Sequence, residues 1–297
     1  MWERRMRRGG GDASRLAAGE IASGGLRRTY YLHVPHTYSA GAPTPLVIAL
    51  HGHFGNGRNM EGLSHFAAIA DRSGFIVAYP DGIDRGWNDG RVGANEGIDD
   101  IAFFRDLIAL LQSHYSIDAN RIYATGMSNG GFMCYRLACE LGGQVAAIAT
   151  VAATMGESLA STCRPARPMS VCLIQGTADP FVLWNGGPVA GGRRGRGRAL
   201  SVDETVKYWV EVNGCDSTPR SMQLPILNAA DPTRIFSYQY LNGREGTEVI
   251  LYRIENGGHT WPGGLQYLPV RMVGPASSQM DASQVIWDFF SRHARNS

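Results

Sequence analysis

Residues 121–131 read Arg-Ile-Tyr-Ala-Thr-Gly-Met-Ser-Asn-Gly-Gly, and this stretch decides the fold. It places Gly126, Ser128 and Gly130 in the spacing G-x-S-x-G. RIYAT predicts a strand, and the residues after Ser128 predict a helix from about Asn129 to Cys139. A serine on so sharp a strand-to-helix turn holds its hydroxyl above the sheet edge, and small neighbours allow the turn to pack. The motif by itself is weak in a chain with 38 glycines, and the alternative is a surface turn that contains a serine.

Strands and helices alternate on both sides of this motif. The run PLVIALHG is continuous and apolar, which is typical of a strand buried inside a sheet, whereas TYYLHVP carries alternating side chains. The predicted strands are TYYLHVP (29–35), PLVIALHG (45–52), FIVAYPDG (75–82), VAAIATVA (145–152), MSVCLIQG (169–176), TRIFSYQY (233–240) and TEVILYRI (247–254). The other predicted helices are 59–73, 99–115, 202–212 and 281–293. This alternation predicts an α/β protein with a mostly parallel central sheet and helices on both faces.

The composition limits the classes of protein to consider. The chain has 297 residues, of which 44% are hydrophobic and 18% are charged, as is typical of a soluble globular protein. A net charge of +2 is too small to attract nucleic acid to the whole surface. The sequence contains no run of about 18 apolar residues, so we predict no membrane-spanning helix. We expect a flexible basic tail over residues 1–26 and a single α/β domain over residues 27–297. The N-terminus lacks the apolar stretch of a secretory signal, so we expect a cytoplasmic protein or a chain whose export signal is missing.

The segment Gly191–Arg198 is the one local block of positive charge. RNA binding is one interpretation of such a block. A solvated, mobile loop beside the active site is favoured, because no aromatic platform accompanies the arginines. We therefore expect no nucleic-acid partner.

A serine hydroxyl is a poor nucleophile unless a histidine accepts its proton and a carboxylate fixes the tautomer of that histidine. His259 is the one histidine after Ser128 that follows a predicted strand, since His293 lies in the last helix. Asp179 directly follows an apolar strand and is the favoured acid. The order Ser128, Asp179, His259 is that of the α/β-hydrolase fold, which we therefore predict. The alternative acids are Asp203, Asp231 and Glu248. Of these, we expect Asp203 to cap a helix.

The same fold requires backbone N–H groups that bind the oxyanion. We expect one from Asn129 and the second from the loop after the strand 45–52, at His53 or less favourably at Phe54. His51 and His53, with His33 and His36, could also indicate a metal site. We disfavour this alternative because no carboxylate completes the set of ligands.

Four motifs, LHGHFGN (50–56), GMSNGG (126–131), GTADP (176–180) and GGHTWPGG (257–264), give a specific resemblance. In this order the chain resembles the esterases that group polyhydroxybutyrate depolymerases with bacterial feruloyl and acetylxylan esterases, carbohydrate esterase family 1. The resemblance implies the same triad and no metal or cofactor. It also implies that Trp87 and Trp261 line the acyl pocket, although ordinary packing is the alternative for both.

The five cysteines show no C-x-x-C spacing, so we expect no zinc or redox site. The resemblance suggests a bridge between Cys139 and Cys163, which the sequence leaves open. Family members often pair a cysteine near the position of Cys215 with a later one, but no cysteine follows Cys215 here. We therefore predict that Cys215 is a free thiol. The chain also departs from the many exported members because it shows no export signal.

The function that the resemblance implies is hydrolysis of a carboxylic ester through an acyl-enzyme. We expect a feruloyl or acetyl esterase that acts on plant-polysaccharide esters. Its substrate would carry a small aromatic or short-chain acyl group, on a small ester or on a polymer. The alternative within this class is a polyester depolymerase. From another class, the alternative is a catalytically inactive binding protein on a hydrolase scaffold.

Overall fold

The computed structural model describes residues 16–192 and 196–295. The strands in these ranges are β1 (Ala17–Ser23), β2 (Leu26–His33), β3 (Thr44–Leu50), β4 (Ile76–Pro80), β5 (Ile117–Met127), β6 (Ala147–Val151), β7 (Ser170–Gly176), β8 (Gly187–Pro188), β9 (Arg198–Ala199), β10 (Arg220–Gln223), β11 (Arg234–Tyr240) and β12 (Val249–Glu255). The helices are α1 (Gly57–Ser64), α2 (Phe66–Ser73), α3 (Asp100–His114), α4 (Asn129–Glu140), α5 (Glu157–Thr162), α6 (Val202–Asn213), α7 (Val270–Val273) and α8 (Ala282–Phe290).

The main sheet has the order β1-β2-β4-β3-β5-β6-β7-β12-β11-β10. The central strands, from β4 to β12 in this order, run parallel. The strands at both edges pair antiparallel. The prediction of an α/β-hydrolase fold with a mostly parallel sheet is confirmed.

Helices cover both faces of this sheet. Every residue of β3, β6 and β7 is buried, as their uninterrupted apolar runs predict. Side chains of α3, α4 and α6 pack in the core on one face, and those of α1, α2 and α8 pack in the core on the other. Among the described helices, none is both long enough and apolar enough to cross a bilayer.

The sheet begins earlier than the sequence predicts. β1 pairs along its whole length with β2 although it lies inside the segment 1–26 that we assigned to a tail, so that assignment is wrong from residue 17 onward. Its residues are mostly exposed or half-buried, because an edge strand contributes backbone hydrogen bonds more than buried side chains. No apolar run therefore marks it. Residues 1–15 lie outside the described ranges.

The helix predicted over residues 59–73 is divided into α1 and α2. The division falls at His65, whose φ of 51° lies in the left-handed region. The His65 N–H closes α1 by donating to the carbonyl oxygen of Glu61 at 2.8 Å. No glycine or proline stands at this position, so the sequence pattern contains no signal of the break.

A disulfide joins Cys139, in the last turn of α4, to Cys163, just after α5, with a Cα–Cα distance of 5.3 Å. The remaining cysteines are free thiols; Cys134 and Cys172 are buried and Cys215 is half-buried. The prediction of a free Cys215 is confirmed. The bridge anchors the end of the helix that begins directly after Ser128.

We predict that replacing both bridged cysteines, with Cys139→Ser and Cys163→Ser, lowers the free energy of unfolding by about 2–4 kcal/mol. The bridged cysteines are separated by 24 positions in the sequence. Loss of the bridge raises the conformational entropy of the unfolded chain and so favours unfolding. Denaturant titration measures the change, and Cys215→Ser is the control with little effect. Thiol counting of the denatured, non-reduced protein should give three free thiols, matching the three free cysteines; five would contradict the bridge.

Candidate active site

Ser128 occupies a strained turn between β5 and α4. Its φ of 54° and ψ of −122° lie outside the regions that most residues adopt. The turn is held because the Ser128 N–H donates to the Val151 carbonyl oxygen at 2.9 Å and the Ser128 carbonyl accepts from the N–H of Phe132 at 2.9 Å. Strain of this kind costs about 1–3 kcal/mol and persists where the surrounding structure fixes it. The turn has the strand-to-helix form of a nucleophile elbow.

The glycines of the motif are required by close backbone contacts. A Cβ at Gly130 would lie 2.4 Å from the carbonyl oxygen of Leu50. A Cβ at Gly126 would lie 2.6 Å from the carbonyl carbon of Gly130. Real Cβ atoms do not approach backbone atoms so closely, so any side chain here would move β3 away from the turn.

Asp179 and His259 form a buried pair. His259 Nδ1 lies 2.8 Å from Asp179 Oδ2, and the two residues are 4% and 3% exposed. The other carboxylate oxygen, Oδ1, accepts from the N–H groups of Phe181 at 2.8 Å and Val182 at 2.9 Å. Gln175 Nε2 donates to Oδ2 at 3.2 Å. With Nδ1 donating to Asp179, Nε2 is the imidazole atom that can accept a proton.

The loop around His259 is fixed by the segment that follows it. The His259 N–H donates to the Val273 carbonyl oxygen at 2.5 Å, and the Tyr267 hydroxyl donates to the His259 carbonyl at 2.8 Å. The Phe181 ring packs edge-on against the imidazole, with ring centroids 5.1 Å apart. These contacts hold both the backbone and the ring of the histidine.

The fold brings the three predicted triad residues to one edge of the sheet. Ser128 follows β5, Asp179 follows β7 and His259 follows β12. These strands belong to the parallel part of the sheet, so their carboxyl ends share an edge. Ligands of open α/β sheets bind at this edge.

A second serine–histidine–carboxylate contact exists at the opposite edge. Ser170 Oγ lies 3.4 Å from His293 Nδ1, and His293 Nε2 lies 3.0 Å from Glu248 Oε1. Ser170 is the first residue of β7, is 2% exposed, and accepts from the Glu248 N–H with its hydroxyl at 3.2 Å. Its position at the start of a strand gives it neither a strained turn nor a helix N-terminus. This cluster anchors the C-terminal segment to the sheet.

The other alternative acids are also occupied elsewhere. Asp231 accepts from Thr233 and Ser278 in a turn before β11. Asp203 lies exposed in the first turn of α6, where Ser201 rather than Asp203 caps the helix. Neither contacts a histidine within the described part of the chain, so the geometry favours Asp179.

The loop after β3 approaches the nucleophile closely. A Cβ at Gly52 would lie 3.4 Å from the Cβ of Ser128. The Phe54 N–H already donates to the Arg85 carbonyl at 2.8 Å, which removes it as an oxyanion donor. Within the described ranges, no acceptor takes the N–H of His53 or of Asn129, the first residue of α4. These two N–H groups are the ones that the sequence predicts for the oxyanion.

Both histidines of this loop, His51 and His53, have a lowered pKa. His51 Nδ1 donates to the Gly52 carbonyl at 2.8 Å, and its Nε2 accepts from the Gly82 N–H at 3.0 Å, so the ring ties two loops together. Burial lowers the pKa of His51. Burial, aided by Arg196 and Arg91, lowers the pKa of His53 to about 4. Across the described residues, no cluster of three His, Cys, Asp or Glu side chains could hold a metal ion.

The assignment of Trp87 and Trp261 to an acyl pocket is not supported. Trp87 is 0% exposed and its Nε1 donates to the His51 carbonyl at 2.9 Å. Trp261 is 1% exposed and its Nε1 donates to Ser283 Oγ at 3.0 Å. Both rings lie in the packed cores, so the ordinary packing that we weighed as the alternative is the correct one. The resemblance suggests these residues but does not reveal which way their side chains face.

A buried ion pair supports the elbow and was missed in the sequence. Asp89 and Arg91 form a salt bridge at 2.6 Å, and the Asn129 side chain donates to Asp89 at 2.6 Å. Arg91 lies over the Phe132 ring at 3.7 Å and donates to the Arg196 carbonyl at 2.6 Å. The glycine-rich stretch around Asp89 reads as an irregular loop, so no periodicity marks it.

The arginine block 191–198 is described only in part, because residues 193–195 lie outside the described ranges. The mobility that we expect for it stays a prediction.

Comparison with known proteins agrees with this architecture. The chain is 32% identical to "Putative esterase NocK" of Nocardia uniformis subsp. tsuyamanensis, over 94% of this chain and 83% of that protein. It is 30% identical to Feruloyl esterase B of Piromyces equi, over 78% of this chain but only 42% of that protein. The acetyl xylan esterase from Aspergillus awamori shares the fold, with a TM-score of 0.56 at 16% identity over 80% of this chain and 92% of that chain.

The fold and these relatives define a serine carboxylic-ester hydrolase. The family model described as Esterase PHB depolymerase matches residues 28–186, and the chain belongs to that family.

We predict that Gly130→Ala abolishes most of the activity and destabilises the protein by about 1–3 kcal/mol or more. The added methyl group would lie 2.4 Å from a backbone oxygen that cannot rotate away. Gly143→Ala is the matched control, because a Cβ there meets no atom within 4 Å. Ester turnover and thermal unfolding of both variants test this; equal activity of the two would contradict the account of the elbow.

Proposed function

We propose that Ser128, His259 and Asp179 carry out ester hydrolysis through an acyl-enzyme, and that the substrates are feruloyl or acetyl esters of plant polysaccharides. The observation that carries the assignment is the buried 2.8 Å contact between His259 Nδ1 and Asp179, at the same sheet edge as the strained Ser128. Two N–H groups that have no acceptor among the described residues lie in the adjoining loop and helix, at His53 and Asn129.

The first half of the reaction forms the acyl-enzyme. Ser128 Oγ attacks the ester carbonyl while His259 Nε2 accepts the hydroxyl proton. Asp179 stabilises the imidazolium of His259 through the contact with Nδ1. The Asp179 carboxylate is itself held by the N–H groups of Phe181 and Val182. The N–H groups of His53 and Asn129 bind the oxyanion, an interaction that is strongest in the transition state. His259 then gives its proton to the departing alcohol.

The second half releases the acid. Water enters in place of the alcohol, and His259 removes its proton as it attacks the acyl carbon. The oxyanion of the tetrahedral intermediate binds the same N–H groups. The bond between the acyl carbon and Ser128 Oγ then breaks, and His259 returns the proton to Ser128 Oγ. The cycle therefore needs no group beyond the triad, the oxyanion donors and water.

The preference for polysaccharide esters rests on the relatives that are named for feruloyl and acetyl xylan esters. The Cys139–Cys163 bridge agrees with such a substrate, because disulfides persist in oxidising compartments such as the cell exterior. We therefore propose that the protein works in an oxidising compartment rather than in the cytoplasm.

Polyester hydrolysis is the second candidate, and one surface feature favours it. The segment 265–272 that follows the His259 loop exposes apolar side chains: Leu265, Tyr267, Leu268, Val270 and Met272. Exposed apolar clusters of this kind mark contact surfaces, and a water-insoluble polyester would be one partner. The description of the family also includes this activity.

We predict that Ser128→Ala reduces ester turnover by about 10⁴-fold or more and abolishes labelling by a fluorophosphonate, while the fold remains intact. Ser170→Ala is the matched control, since Ser170 also contacts a histidine but lies at the other edge of the sheet. Initial rates on an aryl acetate measure the activity of both variants, and circular dichroism checks that both are folded. A dead Ser170→Ala beside an active Ser128→Ala would reverse the assignment.

Asp179→Asn should lower kcat by roughly 10³–10⁴ and leave KM nearly unchanged. The amide can present an N–H to His259 Nδ1 and favour the wrong tautomer, yet Asp179 is buried behind the histidine and away from substrate. Asp216→Asn is the control, because Asp216 is exposed and bonds to Asn242. Steady-state kinetics would refute the role if the two variants kept equal kcat values.

The substrate class is tested by comparing methyl ferulate, an aryl acetate and a polyhydroxybutyrate film with the wild-type protein. We expect turnover of the ferulate or the acetate and no release of hydroxybutyrate from the film. Film hydrolysis with negligible turnover of methyl ferulate would make the polyester candidate the function. The Ser128→Ala protein supplies the blank for each substrate.

A further inference from the structure

A groove lies on the α6 side of the sheet, next to the loop that carries Asp179. It encloses about 510 Å³ between β11, β12, the first turn of α6 and the chain after Asp179. This is within the usual size range of ligand sites. We call it the Trp184 groove, and its walls include Trp184, Asn185, Asp203, Tyr238, Tyr240 and Arg253.

Strand geometry explains why aromatic rings collect there. Tyr238 and Tyr240 are two residues apart on β11 and therefore face the same side of the sheet. Tyr238 is paired with Leu251 of β12, which forms part of the same surface. Both tyrosines and Trp184 are half-buried, so each ring keeps an open part.

Hydrogen-bonding groups alternate with these rings. Asn185 and Asp203 are exposed at the rim, and the Arg253 guanidinium lies 5.7 Å from the centroid of the Trp184 ring. Flat apolar faces beside amide, carboxylate and phenol groups match a sugar ring, which has C–H faces and hydroxyl edges. Burial and the Asp203 carboxylate raise the pKa of Tyr240, so its hydroxyl stays a donor.

The charges of the groove disfavour an anionic ligand. Arg253 is paired with Glu255 at 2.9 Å, and its positive charge is therefore compensated. Asp203 adds a carboxylate at the rim that would repel a phosphate or a uronic acid. The remaining lining is neutral, so the chemistry fits a neutral sugar chain.

One loop connects the groove to the reaction centre. The N–H groups of Phe181 and Val182 donate to Asp179, and Phe181 packs on His259. Two residues beyond Val182, the Trp184 carbonyl accepts from the N–H of Val202, which attaches the loop to α6. The groove wall and the catalytic acid are therefore parts of the same anchored segment.

We propose that the Trp184 groove is a subsite for a neutral sugar chain, separate from the triad, that holds the polysaccharide whose ester is cleaved. The role in cleavage rests on the proposed function, whereas sugar binding by the groove does not. The probe is xylohexaose, a neutral ester-free oligosaccharide, added to the full-length protein.

Binding is measured by calorimetry and by tryptophan fluorescence. Trp184 should report the ligand, because the other described tryptophans are 0–9% exposed: Trp87, Trp209, Trp261 and Trp287. Tyr238→Ala should weaken the calorimetric Kd about tenfold through loss of stacking. Trp184→Phe should abolish the fluorescence change and keep Kd within about threefold, since a ring remains. Tyr252→Ala is the matched control, because Tyr252 lies on β12 but packs on the opposite face, and it should bind as the wild type does.

Kinetics separate the groove from the triad. Tyr238→Ala should hydrolyse an aryl acetate at the wild-type rate and show a KM about tenfold higher on an esterified xylan. Absence of saturable xylohexaose binding by the wild type, or equal binding by Tyr238→Ala, would overturn the proposal. Competitive inhibition of aryl acetate hydrolysis by xylohexaose would also overturn it, because the sugar would then occupy the active site. Xylohexaose binding with these variant effects, but without ester turnover, would support the groove while refuting the proposed function.

Discussion

The active site depends on one close backbone contact, between the turn that carries Ser128 and the end of β3. Gly126 and Gly130 allow this approach, because a Cβ at either position would collide with backbone atoms. The contact brings Gly52 against Ser128, and so the loop after β3 supplies an N–H group beside the N-terminus of α4. The helix dipole at that terminus favours the same negative charge. A single steric requirement thus positions the proposed nucleophile and both proposed oxyanion donors.

Buried polar contacts hold this turn from behind. Trp87 donates through its indole to the His51 carbonyl, and its backbone N–H donates to the Asn129 side chain at 2.7 Å. Asn129 in turn contacts Asp89, which is neutralised by Arg91. The tryptophan that the sequence suggested as a pocket wall is therefore a brace between the β3 loop and α4. Its burial follows from that position, since both of its polar partners lie inside the protein.

The sequence predicted the parts of the fold that depend on continuous apolar runs and on glycine. The strands β3, β6 and β7 and the elbow follow from such signals, and the Ser–Asp–His order follows from the topology that they define. β1 was missed because edge strands gain stability from backbone pairing rather than from buried side chains. The break at His65 and the Asp89–Arg91 pair were missed because long-range packing, rather than local pattern, determines them.

The structure divides the machinery from the surfaces that select a substrate. The proposed oxyanion donors are backbone groups, and the proposed triad members Asp179 and His259 are fixed by buried contacts. Exposed side chains in the loops around the site, such as Phe54 at 64% and Tyr267 at 42% exposure, are the ones open to contact with a substrate. They lie on the loops that follow the parallel strands, where side chains vary without loss of the core. We therefore look for the substrate preference of this protein in these loops and in the Trp184 groove, because the chemistry of the elbow and the proposed triad is common to ester hydrolysis in general.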